Sequence, residues 1–162
     1  LDLIERSEGN WQHDLFAYFE YTPNAEIRRA ILEMTRRLPI AQKEELIRTA
    51  TTDESPLVRA AAMREIARCP NTDFSNELVL GLEDSNAEVL EFAARTAGWT
   101  KNPQFMPHLE NLLNHDHNNV RFQGLNAVKN ISLEHAKTLA VHHTNDQDKR
   151  IYRMARKMLN IK

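Results

Sequence analysis

Seven histidines (His13, His108, His115, His117, His135, His142 and His143) and a single cysteine, Cys69, are the side chains of this 162-residue chain best suited to bind a metal or attack a substrate. Their spacing does not assemble such a centre. His115-Asp116-His117 is compact, yet it lacks the paired Cys and His spacing of a structural zinc site. It falls in a turn that matches other turns of the chain in which Asp caps a following helix, and capping accounts for Asp116. His135, His142 and His143 read as half-exposed residues of one helix. Cys69 ends a helical stretch before Pro70, and although Arg68 stands beside it, the dipole at a helix C-terminus disfavours a thiolate, so the thiol is expected to be inert. No His-Glu-x-x-His, Gly-x-Ser-x-Gly or Gly-rich phosphate loop occurs, and the whole chain has only 4 glycines. The expectation is no catalytic residue, no metal and no cofactor: a binding protein, not an enzyme.

The basic residues are the remaining candidates for chemistry, and a repeat positions them. A column of β-branched residues, Ile27, Val58, Val89, Val120 and Ile151, recurs every 31 residues. Four residues on stand Ile31, Ala62, Ala93, Gly124 and Ala155, and eight on stand Thr35, Ile66, Ala97, Val128 and Leu159, so each set lies on one helical stripe. Eleven residues before the first column comes another, Phe16, Ile47, Leu78, Leu109 and Ala140, extended by Phe74 and Leu82 and by Phe105 and Leu113. Each unit is therefore a pair of amphipathic helices. Between the two helices of a unit, Asp, Asn, Ser and Pro cluster at Thr22-Pro23-Asn24, Asp53-Glu54-Ser55-Pro56, Asp84-Ser85-Asn86, Asp116-His117-Asn118-Asn119 and Asn145-Asp146, as helix starts require.

The same register divides the chain into one repeat domain, 1–162, with units at about 10–38, 39–69, 70–100, 101–131 and 132–162. Residues 1–9 read as the tail of a truncated upstream unit, because Ile4 and Arg6 fall where Ile66 and Arg68 do, so the parent protein is expected to continue upstream and to supply neighbouring repeats or domains. Hydrophobic residues at 41% exclude a disordered chain, and no apolar run is long enough to span a membrane. One cysteine makes no internal disulfide, and a cytoplasmic location is expected.

The strings Asp53-Glu-Ser-Pro-Leu-Val-Arg-Ala-Ala-Ala62, Asn24-Ala-Glu-Ile-Arg-Arg-Ala30, Asp84-Ser-Asn-Ala-Glu-Val-Leu-Glu-Phe-Ala-Ala94 and Asp116-His-Asn-Asn-Val-Arg121 resemble HEAT repeats. The short period is similar to that of the bacterial HEAT-like class found in phycobilisome lyases, and neither ankyrin nor tetratricopeptide signatures occur. The resemblance implies an all-α fold, an α-solenoid in which helix pairs form a right-handed superhelix, with first helices on the convex side and second helices lining the concave side. It implies scaffolding more often than catalysis. It also implies a structural ladder of Asp and Arg, here Asp53 with Arg28, Arg59 and Arg121, interrupted where Leu90 and Tyr152 replace Arg.

The formal charge of −2 hides a polarity between layers. The second helices hold sixteen Lys or Arg against five Glu, a net of +11, which leaves −13 for the rest of the chain. Arg29, Arg64, Arg68, Arg95, Lys129, Arg153 and Lys157, with Phe122 interleaved, are expected on the concave face, where they would suit an acidic or phosphorylated protein segment. Nucleic acid is the less favoured partner, since the pI near 6.4 lies well below the value above about 9 expected of a dedicated binder. The alternatives are a lyase-like chromophore chaperone, a DNA-binding HEAT-like protein, and a solvated face whose charges are neutralised internally.

Overall fold

A computed structural model describes residues 11–161, and the expected upstream tail lies outside the described residues. Ten α-helices follow one another with no strand among the described residues: α1 (Trp11–Tyr21), α2 (Ala25–Met34), α3 (Glu44–Ala50), α4 (Pro56–Ile66), α5 (Ser75–Leu82), α6 (Ala87–Thr100), α7 (Met106–Asn111), α8 (Asn118–Ile131), α9 (Leu133–Ala140) and α10 (Lys149–Met158). The even-numbered helices are the second helices of each pair. They begin at residues 25, 56, 87, 118 and 149, every 31 residues.

The starts are fixed by local chemistry. Asn24 accepts the amides of Glu26 and Ile27 through Oδ1 at 2.9 and 3.4 Å, Asn86 does the same for Glu88 and Val89, and Asp148 accepts the Arg150 amide at 2.8 Å. Pro56 opens α4 at the position where a missing amide costs nothing. Among the first helices, α9 starts early relative to α3, α5 and α7, because Ser132 ends α8 and its hydroxyl at once caps α9 through the His135 amide at 3.3 Å.

The sequence columns become the core. Val58, Val89, Val120 and Ile151 are fully buried, as are Ala62, Ala93 and Ala155 beside them and Ile47, Leu109 and Ala140 from the first helices. Successive second helices pack along the stack more extensively than successive first helices do. No helix among the described residues is long and apolar enough to cross a membrane.

One pair of charges sits inside this core. Lys43 occupies the column held by Phe74 and Phe105 in the next two repeats, yet it is as buried as they are, and its Nζ lies 3.8 Å from the buried carboxylate of Glu65 and donates to the Arg36 carbonyl at 3.0 Å. Glu65 Oε1 accepts from Arg68 at 2.8 Å, while Oε2 is buried without a hydrogen-bond partner. Burial raises the Glu65 carboxyl above its usual range despite Arg68 and Lys43.

Candidate functional site

The arginines that follow the β-branched column turn toward the inter-helix turns. Each makes the same fork. Arg28 donates from Nε and Nη2 to the Asp53 carboxylate at 2.7 and 2.9 Å and from Nη1 to the Thr22 carbonyl at 2.8 Å. Arg59 reaches Asp84 at 2.6 and 2.9 Å and the Asp53 and Glu54 carbonyls at 2.8 and 3.0 Å. Arg121 reaches Asp146 at 3.1 and 2.9 Å and the His115 and Asp116 carbonyls at 2.9 and 3.0 Å. A guanidinium thus ties the turn of its own repeat to the carboxylate 25 residues on, in the next repeat. Asp53 pairs with Arg28 of the preceding unit and meets Arg59, six residues later, only through its backbone carbonyl. The oxygen that accepts from Nη2 is also used locally: Oδ1 of Asp53, Asp84 and Asp146 each accepts the amide two residues on at 2.8 Å. Burial raises the Asp84 and Asp146 carboxyls, but the hydrogen bonds from Arg59 and Arg121 and from those amides outweigh it and leave both below the usual range.

Counting by 31 from Asp53 and Asp84 leads to His115, not to Asp116. The capping role expected of Asp116 is therefore corrected: Asp116 is exposed, His115 Nδ1 accepts the His117 amide at 3.0 Å, and α8 receives no side-chain cap. Leu90, which stands where Arg59 stands one repeat earlier, is buried, so both ends of this rung are replaced together. Three other histidines lie beside carboxylates. His108 lies 3.2 Å from Glu83 and His135 lies 2.7 Å from Glu110, and both pairs link successive repeats. His142 and His143 lie in a 3-10 turn past α9; His142 is exposed, but His143 is buried beside Asp146 rather than half-exposed, and that burial lowers its pKa. Cys69 is buried, which raises its thiol pKa although Lys43 opposes the shift. Among the described residues no group of three or more His, Cys, Asp and Glu is placed to hold a metal ion.

The expected concave set separates into two kinds. Arg29 pairs with Glu26 and Glu33 of its own helix at 2.9 and 2.7 Å, and Arg68 pairs with Glu65 at 2.8 Å. At i, i+3 and i, i+4 such pairing needs no tertiary contact. Arg64 comes within 3.8 Å of Glu33 but lies over the Phe92 ring, 5.0 Å from its centroid. Arg95 shares that ring at 4.5 Å and also overlies Trp99 at 5.9 Å, with no carboxylate of the described residues within ion-pair distance. Lys129 donates to Asn126 at 2.8 Å, and Arg153 and Lys157 are exposed without an ion-pair partner among the described residues. Phe122 lies under Arg150 at 4.8 Å, and Arg150 is itself held by Asp148, whose carboxyl that hydrogen bond brings down to about 2.

Phe92 was not among the expected site residues. Its place three residues before Arg95 was a usable signal, since i, i+3 neighbours share a helix face, but the ring's second guanidinium comes from the preceding repeat and depends on how the helices stack. The result is a cluster on α4 and α6 in which the half-buried Arg64 and Arg95 share the Phe92 ring, with Trp99 58% exposed at its edge.

Comparison with known proteins agrees with this architecture. A structure of the complex of CpcE and CpcF of phycocyanin lyase from Nostoc sp. PCC7120 is similar in fold, with a TM-score of 0.74 over 96% of this chain at 17% identity. The matched region spans 66% of that chain, and at such identity the likeness concerns the fold alone. No curated protein matches the chain. The profile of the HEAT repeats matches residues 75–160, more than half of the sequence, and with its stacked helix pairs the chain belongs to the HEAT-repeat family.

Proposed function

We propose that this HEAT-repeat chain is a non-catalytic protein-interaction scaffold that binds an acidic or phosphorylated segment of a partner along Arg64, Arg95, Lys129, Arg153 and Lys157. Membership of the HEAT-repeat family supports the scaffold part of the reading. The observation that carries the finer part is the pair of guanidiniums on Phe92, of which Arg95 has no carboxylate partner among the described residues. A guanidinium stacked on a ring keeps its outward N–H donors free and loses little side-chain entropy on binding, which suits bidentate recognition of a carboxylate or phosphate. Internal pairing of Arg29 and Arg68 narrows the strip to its middle and C-terminal parts.

The test uses the purified chain as bait and the double variant Arg64→Glu/Arg95→Glu, with circular dichroism as the folding control. Specific partners should be captured by the parent chain and lost by the variant at unchanged helicity. Equal capture by both would end the reading. A second reading rests on the fold likeness to a lyase that is itself a complex of two proteins: a lyase-like role in which the chain handles a chromophore together with another subunit. Visible absorbance on co-purified material would favour it, whereas a salt-dependent shift of duplex DNA would favour the nucleic-acid alternative.

A further inference from the structure

Trp99 is the largest exposed apolar side chain of α6, and it borders a second feature besides the arginine pair. One face meets the Arg95 guanidinium; the residue also lines an open groove of about 430 Å³ between the end of α4, the start of α5 and the turn that leads into α7. Ile66, Phe74, Leu78 and Phe105 lie beneath the groove, each at most 4% exposed, and the accessible apolar lining includes Pro70 and Trp99. Its rim is polar, with Asn71, Asp73 and Asn102. Asp73 is an exposed acid of the groove lining, whereas Arg95 is a cation beside Trp99.

We propose that Arg64, Arg95, Trp99 and this groove form one docking surface for a peptide segment that carries an acidic side chain followed or preceded at close range by a bulky apolar one. The carboxylate or phosphate sits on the guanidiniums over Phe92, and the apolar side chain crosses Trp99 into the groove. This rests on the basic-strip reading above and adds a determinant that charge alone does not supply. The occupant follows from complementarity. Arg95 lacks an acid of its own among the described residues, Asp73 repels a second acid in the groove, and a volume of about 430 Å³ admits one large side chain. Arg95 lies 5.9 Å from the centre of the Trp99 ring, and an extended chain advances about 3.3 Å per residue, so acid and anchor are about two or three residues apart. An apolar anchor in a desolvated pocket beside a charge contact is the usual arrangement of a binding hot spot.

A phage-displayed library of random dodecapeptides, selected on the full chain, tests the pairing before any partner is identified. Enriched peptides should place Asp or Glu two or three positions from Trp, Phe or Leu. A synthetic peptide from the selection should lose at least tenfold in affinity when its acid becomes the amide, and at least tenfold when its anchor becomes Ala. Arg95→Glu and the rim-filling Asn71→Trp should each weaken it to a similar degree, at unchanged circular dichroism, and in a Trp11→Phe background the Trp99 emission should shift to the blue on binding. Binding that needs the acid but ignores the anchor and Asn71→Trp overturns the groove and leaves the basic-strip reading standing. Binding indifferent to the acid and to Arg95→Glu overturns both, and a selection with no enrichment over a blank surface overturns the docking surface.

Discussion

Between the second and third repeats Arg59 is locked onto Asp84; between the third and fourth the corresponding positions hold Leu90 and His115, and no such fork exists. The second of these junctions is nevertheless the most extensive helix contact in the stack, α6 against α8. Gly98 explains how: a Cβ there would lie 2.7 Å from Ala127 Cα, so the two backbones approach at a distance only glycine permits. Leu90 adds a buried apolar side chain where the guanidinium would have been. A buried ion pair roughly breaks even against a well-packed apolar substitute, whereas removed apolar area stabilises by about 25 cal/mol per Å². The two junctions show that a repeat interface is closed either by a polar fork or by close backbone packing, and that the fork can be lost where the packing is tight.

The contrast can be broken or sharpened by substitution. The largest effect is expected from Arg59→Met, which leaves the nearly buried Asp84 with only the Asn86 amide as partner; a loss of about 3–5 kcal/mol should appear in urea unfolding. A loss under about 1 kcal/mol would mean that this junction, too, is held by packing. Next, Gly98→Ala should cost about 1–3 kcal/mol by forcing the α6 and α8 backbones apart, in spite of the better helix propensity of Ala. Gly124→Ala is the control, because its new methyl would come no closer than 3.2 Å to a neighbouring atom, and it should cost less. If the two glycine variants unfold alike, close backbone approach is not what secures α6 on α8.

A smaller effect is expected from rebuilding the fork. In a cycle of Leu90→Arg, His115→Asp and the double variant, each single change should destabilise and the pair should recover a coupling of about 1 kcal/mol. Absence of coupling would show that the junction is too tightly packed to accept the rung. The smallest effect is in the pH dependence. Asp84 and Asp146 have folded pKa values below the ordinary 3.8, so their contribution is present above about pH 4 and is lost as pH falls through the folded values. Asp84→Asn should therefore lower stability at pH 7 yet flatten its decline below about pH 4, which denaturant titrations at roughly pH 7, 4, 3 and 2.5 would register. A parallel decline in parent and variant would mean that the fork is not titrating.

Much of the fold was readable because the 31-residue period acts locally. Apolar stripes and the cap residues Asn24 and Asn86 determine where helices begin, through contacts within one repeat or less. The interruption of the arginine column at Leu90 was visible for the same reason. The matching substitution at His115 was missed, since the expected register of that turn was placed one residue late, on Asp116. Phe92 was missed because Arg64 reaches it from the preceding helix pair, over 28 residues of sequence.

By itself, then, the sequence determined the helix pairs, their register, the small-residue stripe that lets them stack and the segregation of charge between layers. Each of these follows from periodicity along one chain segment. Only the tertiary structure decided which charges are spent. It assigned Asp53 to Arg28 rather than Arg59, buried Lys43 against Glu65 in a column otherwise held by Phe74 and Phe105, and left Arg95 on aromatic rings without an acid among the described residues. Formal charge is a property of composition, but a charge free to bind a partner depends on what lies within about 4 Å of it, and at the junctions those neighbours come from the adjoining repeat.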